Sequence, residues 1–222
     1  EVSNNPQVSD LYFLEIPPND QSNAILNNYF SILPANLIAV EENDIQILSP
    51  QRRGDTGVNN LNRIIQEKFN KKSELLFQKK SNDRTVNFYL DDKVIMTENN
   101  YDLDVMNGDI GRIKGKDKNN IIVFFEDGKE VIYSPDDMEK LELAYAITIH
   151  KSQGSEYRAV IIPISANHYH MLTRKLIYTA VTRGKEIVCL IGEWKSLQRS
   201  LKIYKQDFRF TNLDYVLKEN LS

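Results

Sequence analysis

The hydrophobic pattern of the first third of the chain alternates between two periods. Short apolar runs from Leu11 to Ile16 and from Ile45 to Leu48 predict strands, because they are brief and bounded by turn residues. Between and after them, apolar residues recur at helical spacing from Ala24 to Leu33 and from Val58 to Phe69. The first of these helices is expected to end before Pro34. This strand–helix rhythm favours a parallel sheet with helices on its faces.

Between about Lys71 and Leu141 the pattern changes to short alternating runs joined by turns. Asp127-Gly128 lies between two such runs, which is a strong hairpin signal. We therefore expect a small antiparallel β-barrel over residues 81–141, inserted into an α/β domain formed by residues 1–80 and 142–222. The lysines at positions 71, 72, 79 and 80 are interpreted as a solvated linker. The strands predicted in the insert are Lys93 to Thr97, Asp109 to Ile113, Ile121 to Phe125 and Glu130 to Tyr133.

The parallel rhythm returns after Leu141 and carries a dense group of polar residues. An apolar strand predicted from Leu143 to Ile149 leads into the segment His150-Lys151-Ser152-Gln153-Gly154-Ser155-Glu156, and a second strand, Ala159 to Ile164, follows at once. Further along, an apolar helix precedes Thr182-Arg183-Gly184, and a strand follows from Ile187 to Ile191. Polar and cationic groups thus stand at the ends of buried strands, where open α/β sheets bind ligands.

Composition narrows the class of protein only slightly. The chain has 222 residues, is 41% hydrophobic and 27% charged, and has a net charge of -3, so any contact with nucleic acid must come from local basic clusters. Its single cysteine, Cys189, lies in an apolar strand and is expected to be a buried thiol. No apolar run approaches the roughly 18 residues of a membrane span, and no signal peptide is evident, so the expected location is cytoplasmic.

The two polar segments resemble motifs V and VI of superfamily 1 helicases, and are most similar to those of the RecD-like branch, which includes the TraA relaxase-helicases. The resemblance implies a second RecA-like motor domain carrying an inserted barrel of the Src-homology type. Within Tyr178-Thr179-Ala180-Val181-Thr182-Arg183-Gly184 it implies that Arg183 is the arginine finger. A guanidinium suits this role because it is always charged and donates two parallel hydrogen bonds to phosphate. An isolated Thr-Arg-Gly would instead be a surface arginine at a helix end.

The resemblance also assigns roles along the first polar segment. It implies that Thr148, His150 and Lys151, with Ser152, face the DNA backbone. It implies that Gln153 and Gly154 couple the DNA and nucleotide sites, and that Glu156 lies nearer the nucleotide. For His150 alone, a capped loop histidine would be the ordinary interpretation.

Two further candidates come from the earlier parts of the chain. The stretch from Ile45 to Gly54 resembles motif IV, which supplies a second arginine to the nucleotide; Arg52 and Arg53 both remain candidates, and paired loop arginines are also ordinary surface residues. In the insert, Tyr101 is a candidate for stacking on a base or for packing on its own barrel. Arg112, in a run with Lys114, Lys116 and Lys118, is a candidate phosphate contact or part of a solvated face.

The chain contains no Gly-x-x-x-x-Gly-Lys-Ser/Thr loop, and no Asp-Glu pair follows an apolar strand. The resemblance therefore covers residues 11–215 but only the second half of the family's motifs. We expect the intact protein to be an ATP-dependent DNA helicase of 5′-to-3′ polarity that uses ATP and Mg²⁺. The chain by itself is expected to bind no cofactor or metal and to be inactive. Expected partners are single-stranded DNA, a first motor domain and, as a candidate, RecBC-like subunits. The alternatives are a non-enzymatic nucleic-acid-binding module and the helicase part of a TraA-type relaxase.

Overall fold

The structure is a computed structural model that describes residues 10–37, 44–70, 73–81, 84–125, 127–168 and 170–203. Its strands, in chain order, are β1 (Leu11–Glu15), β2 (Ile45–Ser49), β3 (Leu75–Ser81), β4 (Arg84–Tyr89), β5 (Lys93–Met96), β6 (Ile110–Asp117), β7 (Asn120–Phe125), β8 (Glu130–Tyr133), β9 (Leu141–Leu143), β10 (Ala146–Thr148), β11 (Tyr157–Ile164) and β12 (Gly184–Gly192). The helices are α1 (Gln21–Asn27), α2 (Leu33–Asn36), α3 (Val58–Phe69), α4 (Pro135–Met138), α5 (Arg174–Val181) and α6 (Trp194–Lys202).

The main sheet has five strands in the order β1-β12-β11-β2-β10, and every pair in it is parallel. Alternate side chains of β12 enter two separate apolar clusters, as the period of two in a strand requires. Cys189 and Ile191 pack on the face covered by α1 and α3, whereas Val188 and Leu190 pack on the face covered by α5 and α6. The predicted parallel sheet with helices on both faces is confirmed, and Cys189 is fully buried as expected.

The parallel strands give the main sheet two distinct edges, which organise the site described below. At the carboxyl edge, β2 ends at Ser49 and its neighbour β10 ends at Thr148, and these two residues are register partners. At the amino edge, β11 begins at Tyr157 and its neighbour β12 begins at Gly184, again as register partners. The loop that follows β2 therefore lies at the opposite edge from the loop that precedes β12, and the segment between β10 and β11 has to pass from one edge to the other.

The insert forms a second, antiparallel sheet of five strands in the order β8-β7-β6-β5-β9. All four strands predicted there are present within a few residues of their expected bounds, and Gly128 takes a left-handed φ of 86° in the turn between β7 and β8. Strands β3 and β4 pair with each other in a separate hairpin. The prediction of a linker is therefore wrong for Lys79 and Lys80, which lie in β3. Positions 71 and 72 are outside the described residues.

Two other expectations for local structure are wrong. The stretch from Leu143 to Ile149 is not one strand: Leu143 ends β9 in the insert, and Ala146 begins β10 in the main sheet. Helical backbone also continues past Pro34. A π-helical stretch from Asn28 to Ile32 is followed directly by α2, which contains Pro34. Pro34 then lies in the first turn of α2, where a missing N–H costs little.

Polar side chains hold the crossover between the two sheets. Asn62 of α3 donates to the carbonyls of Leu143 and Ala146 at 3.0 and 2.9 Å and accepts from the Ala146 N–H at 2.8 Å. The Gln46 amide donates to the carbonyls of Ala144 and Tyr145 at 3.0 and 3.1 Å. These buried bonds fix the path by which the chain leaves the insert and enters β10.

Candidate functional site

The segment after β10 extends from the carboxyl edge of the main sheet to the amino edge. It starts in a tight turn in which the Thr148 carbonyl accepts from the backbone N–H groups of Lys151 and Ser152 at 2.9 and 3.3 Å. It ends where the Tyr157 N–H donates to the Arg183 carbonyl at 2.8 Å. Thr148, His150 and Lys151 therefore lie near one edge of the sheet, and Ser155 and Glu156 near the other.

The side chains of this segment differ in their availability. His150, Gln153 and Glu156 are exposed, and Gly154 has a φ of 92°, a left-handed conformation that favours glycine. Ser152 is fully buried and donates its hydroxyl to the Ile149 carbonyl at 2.8 Å. The expectation that Ser152 contacts DNA is therefore corrected, because its side chain holds the turn from inside.

Arg183 lies directly between α5 and β12, as its sequence context predicts. Its guanidinium donates to the Ser155 carbonyl at 3.0 Å and to the Thr179 carbonyl at 3.3 Å. Beside it, Lys185 and Glu156 form an ion pair at 3.5 Å in which both side chains are more than half exposed. The structure thus brings Arg183 and the end of the motif V-like segment together at the amino edge.

Arg52 and Arg53 belong to the loop that follows β2 at the carboxyl edge. The Arg52 guanidinium makes two parallel hydrogen bonds to the Glu142 carboxylate, at 2.9 and 3.2 Å. The Lys151 ammonium reaches the same carboxylate at 2.9 Å. Burial alone would raise the pKa of Glu142, but hydrogen bonds from Arg52 and Lys151 outweigh it and lower the pKa to about 2. Arg53 is exposed and forms no ion pair within the part of the chain that the structure describes.

The expected grouping of Arg52 or Arg53 with Arg183 is not observed within this chain. Arg183 precedes the first residue of β12, whereas the two other arginines follow the last residue of β2. Because β2, β11 and β12 are parallel and in register, these positions lie at opposite edges of the sheet. Lys151, and not Arg183, is the cation that shares a partner with Arg52.

A buried histidine supports the loop that carries the two arginines. His168 Nε2 and the Thr56 hydroxyl are 3.1 Å apart, and the Ser49 hydroxyl donates to the Thr56 carbonyl at 2.7 Å. Burial lowers the pKa of His168 to about 4, so the ring is neutral near pH 7. Neither His168 nor Glu142 was a candidate from sequence. The one signal for Glu142 is a single acid between Leu141 and Leu143, which places it on the polar side of a strand.

The two candidates in the insert have different outcomes. Tyr101 is 75% exposed, so it does not pack on its own sheet and is available to a ligand. Arg112 is only 5% exposed; it donates to the Asp91 carbonyl at 2.8 Å and lies over the Phe69 ring. This burial leaves the Arg112 side chain little access to a phosphate. The alternative of a solvated face is wrong for Arg112 but holds for Lys114, Lys116 and Lys118, which are exposed.

The described residues also bear on metal binding and on the membrane. Within them, no group of three or more histidine, cysteine, aspartate or glutamate side chains is arranged to hold a metal ion. None of the helices in the described ranges is long and apolar enough to cross a membrane.

Comparison with known proteins shows which family of proteins this chain resembles. A model of the UvrD-like helicase C-terminal domain matches residues 143–191, and a model of the ATP-dependent RecD-like DNA helicase SH3 domain matches residues 61–125. The chain is 32% identical over 142 residues to the ATP-dependent RecD2 DNA helicase of Deinococcus radiodurans, which covers 64% of this chain and 19% of that protein. The chain is therefore similar to the RecD-like branch of the superfamily 1 helicases. The predicted insert of the Src-homology type is confirmed by the second model.

Other relatives of this RecD-like chain agree. It is 29% identical over 195 residues to the RecBCD enzyme subunit RecD of Haemophilus influenzae, covering 86% of this chain and 28% of that one. The chain thus spans less than a third of the length of these relatives. Among solved structures, Pif1 helicase from Bacteroides in complex with ADP-AlF3 and ssDNA matches with a TM-score of 0.51 at 18% identity, covering 93% of this chain and 54% of that one. This likeness shows a shared fold.

Proposed function

We propose that this chain is the second motor domain of an ATP-dependent DNA helicase that moves 5′-to-3′ along single-stranded DNA. One observation carries the proposal. A single segment, residues 149–156, begins at the carboxyl edge, where its Lys151 binds Glu142. It ends at the amino edge, where its Ser155 carbonyl accepts a hydrogen bond from the Arg183 guanidinium. A nucleotide at one edge and a DNA strand at the other would therefore contact the same short piece of backbone.

In this proposal the amino edge serves the nucleotide. ATP with Mg²⁺ supplies the cleavable phosphoanhydride when bound, and Arg183 neutralises the charge that develops on its phosphates. Arg183 fits such a group because, among the described residues, its donors bond neutral oxygens of Ser155, Thr179 and Thr182, which an anionic phosphate would outcompete. Gln153, Gly154 and Glu156 complete this side. The described residues offer no cluster of metal ligands, so the phosphate loop and magnesium ligands are assigned to the first motor domain.

The carboxyl edge serves the DNA strand in the same proposal. Thr148, His150 and Lys151 face its backbone, and Tyr101, on the insert, is available to stack on a base. Arg52 and Arg53 are assigned to this side too, because they follow the strand that neighbours β10 and because Arg52 shares Glu142 with Lys151. This departs from the expectation that one of them contacts the nucleotide.

Substitution of Arg183 tests the proposal in the intact helicase. Arg183→Ala is expected to lower DNA-stimulated ATP turnover by roughly 10³- to 10⁵-fold, the range of other arginine fingers, while leaving affinity for single-stranded DNA largely unchanged. Arg174→Ala, which removes an exposed arginine at the other end of the same helix, is the control and should keep wild-type turnover. Wild-type turnover in Arg183→Ala would refute the nucleotide assignment.

The two alternatives predict other results. A non-enzymatic nucleic-acid-binding module would show no ATP turnover in any intact form, and Arg183→Ala would change nothing. The helicase part of a TraA-type relaxase would respond to Arg183→Ala as proposed here, and strand-transfer activity of the intact protein would distinguish it. RecBC-like partners remain a proposal that co-purification with the intact protein tests.

A further inference from the structure

The Glu142 carboxylate occupies a position where two cations of the carboxyl edge converge. Arg52 binds both of its oxygens, at 2.9 and 3.2 Å, and Lys151 binds one of them at 2.9 Å. The two cations come from different loops, each just beyond the end of one of two neighbouring strands, β2 and β10. A fork of guanidinium donors with an ammonium beside it is an arrangement that binds the paired oxygens of a carboxylate or of a phosphate.

We propose that Arg52 and Lys151 form a binding site for one phosphodiester of single-stranded DNA, and that Glu142 occupies this site until the strand displaces it. The inference rests on the proposed function, which places the strand at this edge. DNA binding here requires the carboxylate to leave both cations.

Exposure of the three side chains makes this exchange physically accessible. The side chains of Arg52, Glu142 and Lys151 are 45%, 34% and 22% exposed, so the cluster lies at the surface. Ion pairs of this exposure contribute little net stability, because water and salt compensate most of the attraction. A polyanion that releases counterions on binding can therefore replace the carboxylate.

The surroundings of Glu142 favour a DNA strand as the ligand. Arg52 and Glu142 lie on the wall of a cavity of about 1240 Å³ between α3, the β3–β4 hairpin and β9. Further cations and amides line the same cavity: Arg63, Lys68, Lys79, Asn59 and Asn87. Glu67 also lines it and pairs with Arg63 at 2.8 Å, so Lys68 and Lys79 are the cations there without a carboxylate partner among the described residues. The low pKa of Glu142, about 2, means that the competitor is ionised at neutral pH.

Glu142 also connects the site to the insert. It lies on β9, which pairs with β5 of the antiparallel sheet through the register Ile95 to Glu142. Release of the carboxylate therefore frees a contact between the insert and the two loops of the main sheet. Strand binding at the carboxyl edge would loosen this contact, whereas nucleotide binding at the amino edge would not touch it directly.

Fluorescence anisotropy with a labelled oligothymidylate and the 222-residue chain tests the inference. Glu142→Gln keeps the size of the side chain and removes its charge, so it should bind the oligonucleotide roughly two- to thirtyfold more tightly than wild type, the equivalent of two exposed ion pairs. The matched control is Glu186→Gln, which removes a carboxylate held in the same two-pronged way by Arg158, but at the amino edge. The control should change affinity less than twofold.

A double-mutant cycle assigns the gain to the two cations. In an Arg52→Ala, Lys151→Ala background, Glu142→Gln should change affinity less than twofold, because the carboxylate then blocks nothing. A gain of the same size in that background would overturn the inference, since it would reflect only the loss of a negative charge. Thermal melting of every variant shows that the comparison is between folded chains.

The remaining outcomes separate this inference from the proposed function. If wild type binds the oligonucleotide and Glu142→Gln binds equally or more weakly, Glu142 orients the cations or is inert, and only the inference fails. If neither chain binds, the inference and the DNA side of the proposed function both fail. Displacement of the oligonucleotide from Arg52 and Lys151 by excess ATP alone would assign the site to a nucleotide and also overturn the inference.

Discussion

At the scale of single residues, environment decides which charged groups are available for chemistry. Arg52 and Arg112 are both arginines in basic stretches, and sequence treats them alike. The first lies in an exposed ion pair, whereas the second is buried against Phe69 and the Asp91 carbonyl. Sequence could predict that Arg183 lies between a helix and a strand, because the apolar pattern on both sides of it is long. It could not separate the other arginines, because their partners are distant in sequence.

The same limit applies to the buried polar groups of the junction with the insert. Asp92 is fully buried and accepts hydrogen bonds from Gln66, Asn70 and Tyr145. Burial raises the pKa of Asp92, and this effect outweighs the opposite effect of the hydrogen bonds. Asp92 follows Asp91, which is only partly buried, and no pattern distinguishes the two. Partners contributed by other elements are what make such a residue structural.

His168 leads to a prediction about pH. Its pKa is about 4 in the folded chain and 6.5 when unfolded, so the folded state favours the neutral ring. The contribution of His168 to stability is therefore complete above pH 6.5 and is lost as the pH falls toward 4. The loss should reach about 3 kcal/mol, since each pKa unit corresponds to 1.36 kcal/mol. Urea unfolding of the 222-residue chain at a series of pH values measures it.

His168→Gln provides the comparison for this measurement. A glutamine amide can still bond to Thr56, but it does not titrate, so the stability of this variant should fall less between pH 6.5 and 4. Parallel pH profiles for wild type and His168→Gln would show that other groups cause the acid sensitivity.

At the scale of elements, strong hydrophobic periodicity predicts the bounds of a helix well, but sequence does not predict which sheet a strand joins. Helix α3 has the predicted bounds, because its apolar residues lie on one face and Gly57 precedes it. Sequence does not predict the β3–β4 hairpin, because its strands contain many polar residues and, among their residues of described burial, Leu76 and Phe88 are the buried ones. Sequence predicts one strand from Leu143 to Ile149, because the hydrophobic residues there are nearly continuous. The strand pairing shows that the chain changes sheets between β9 and β10, where side chains of Asn62 and Gln46 bind its backbone.

Gly57 gives a prediction about the loop that carries Arg52 and Arg53. A Cβ at this position would lie 2.3 Å from the Arg53 carbonyl oxygen and 2.8 Å from that of Arg52, so the loop would have to move. Gly57→Ala should therefore destabilise the chain by about 1 to 3 kcal/mol and weaken binding of single-stranded DNA. Chemical unfolding and oligonucleotide anisotropy measure the two effects.

Gly115 supplies the control for this substitution. It lies in β6, and a Cβ there would meet only Ile122 at 3.9 Å, an ordinary contact. Gly115→Ala should change neither stability nor DNA binding appreciably. If Gly57→Ala behaved in the same way, the loop would be free to adjust, and its shape would not matter for the proposed DNA site.

At the scale of the whole molecule, the family and the architecture were accessible from sequence because two motifs with buried flanking strands identify them. The separation of the arginines between the two edges was not accessible, because it depends on strand order and direction. The sequence contains no phosphate loop, which leads to the broadest prediction. The 222-residue chain should hydrolyse no ATP above background, with or without oligothymidylate.

A coupled-enzyme ATPase assay checks this expectation. The intact helicase, assayed at the same concentration, is the positive control, and its turnover should depend on DNA. DNA-stimulated turnover by the 222-residue chain itself would contradict the assignment of the catalytic machinery to two domains.

The crossover between the sheets has a consequence for how such a chain could arise. The insert begins at Lys93 and ends at Leu143, and the Ala144 N–H donates to the Lys93 carbonyl at 2.8 Å, so its entry and exit are neighbours. A segment with adjacent ends can be gained or lost in one genetic event without rethreading the surrounding sheet. Glu142 lies on β9, the last strand of this segment. Removal of residues 93–143 would therefore also remove the carboxylate that is proposed to compete with DNA for Arg52 and Lys151.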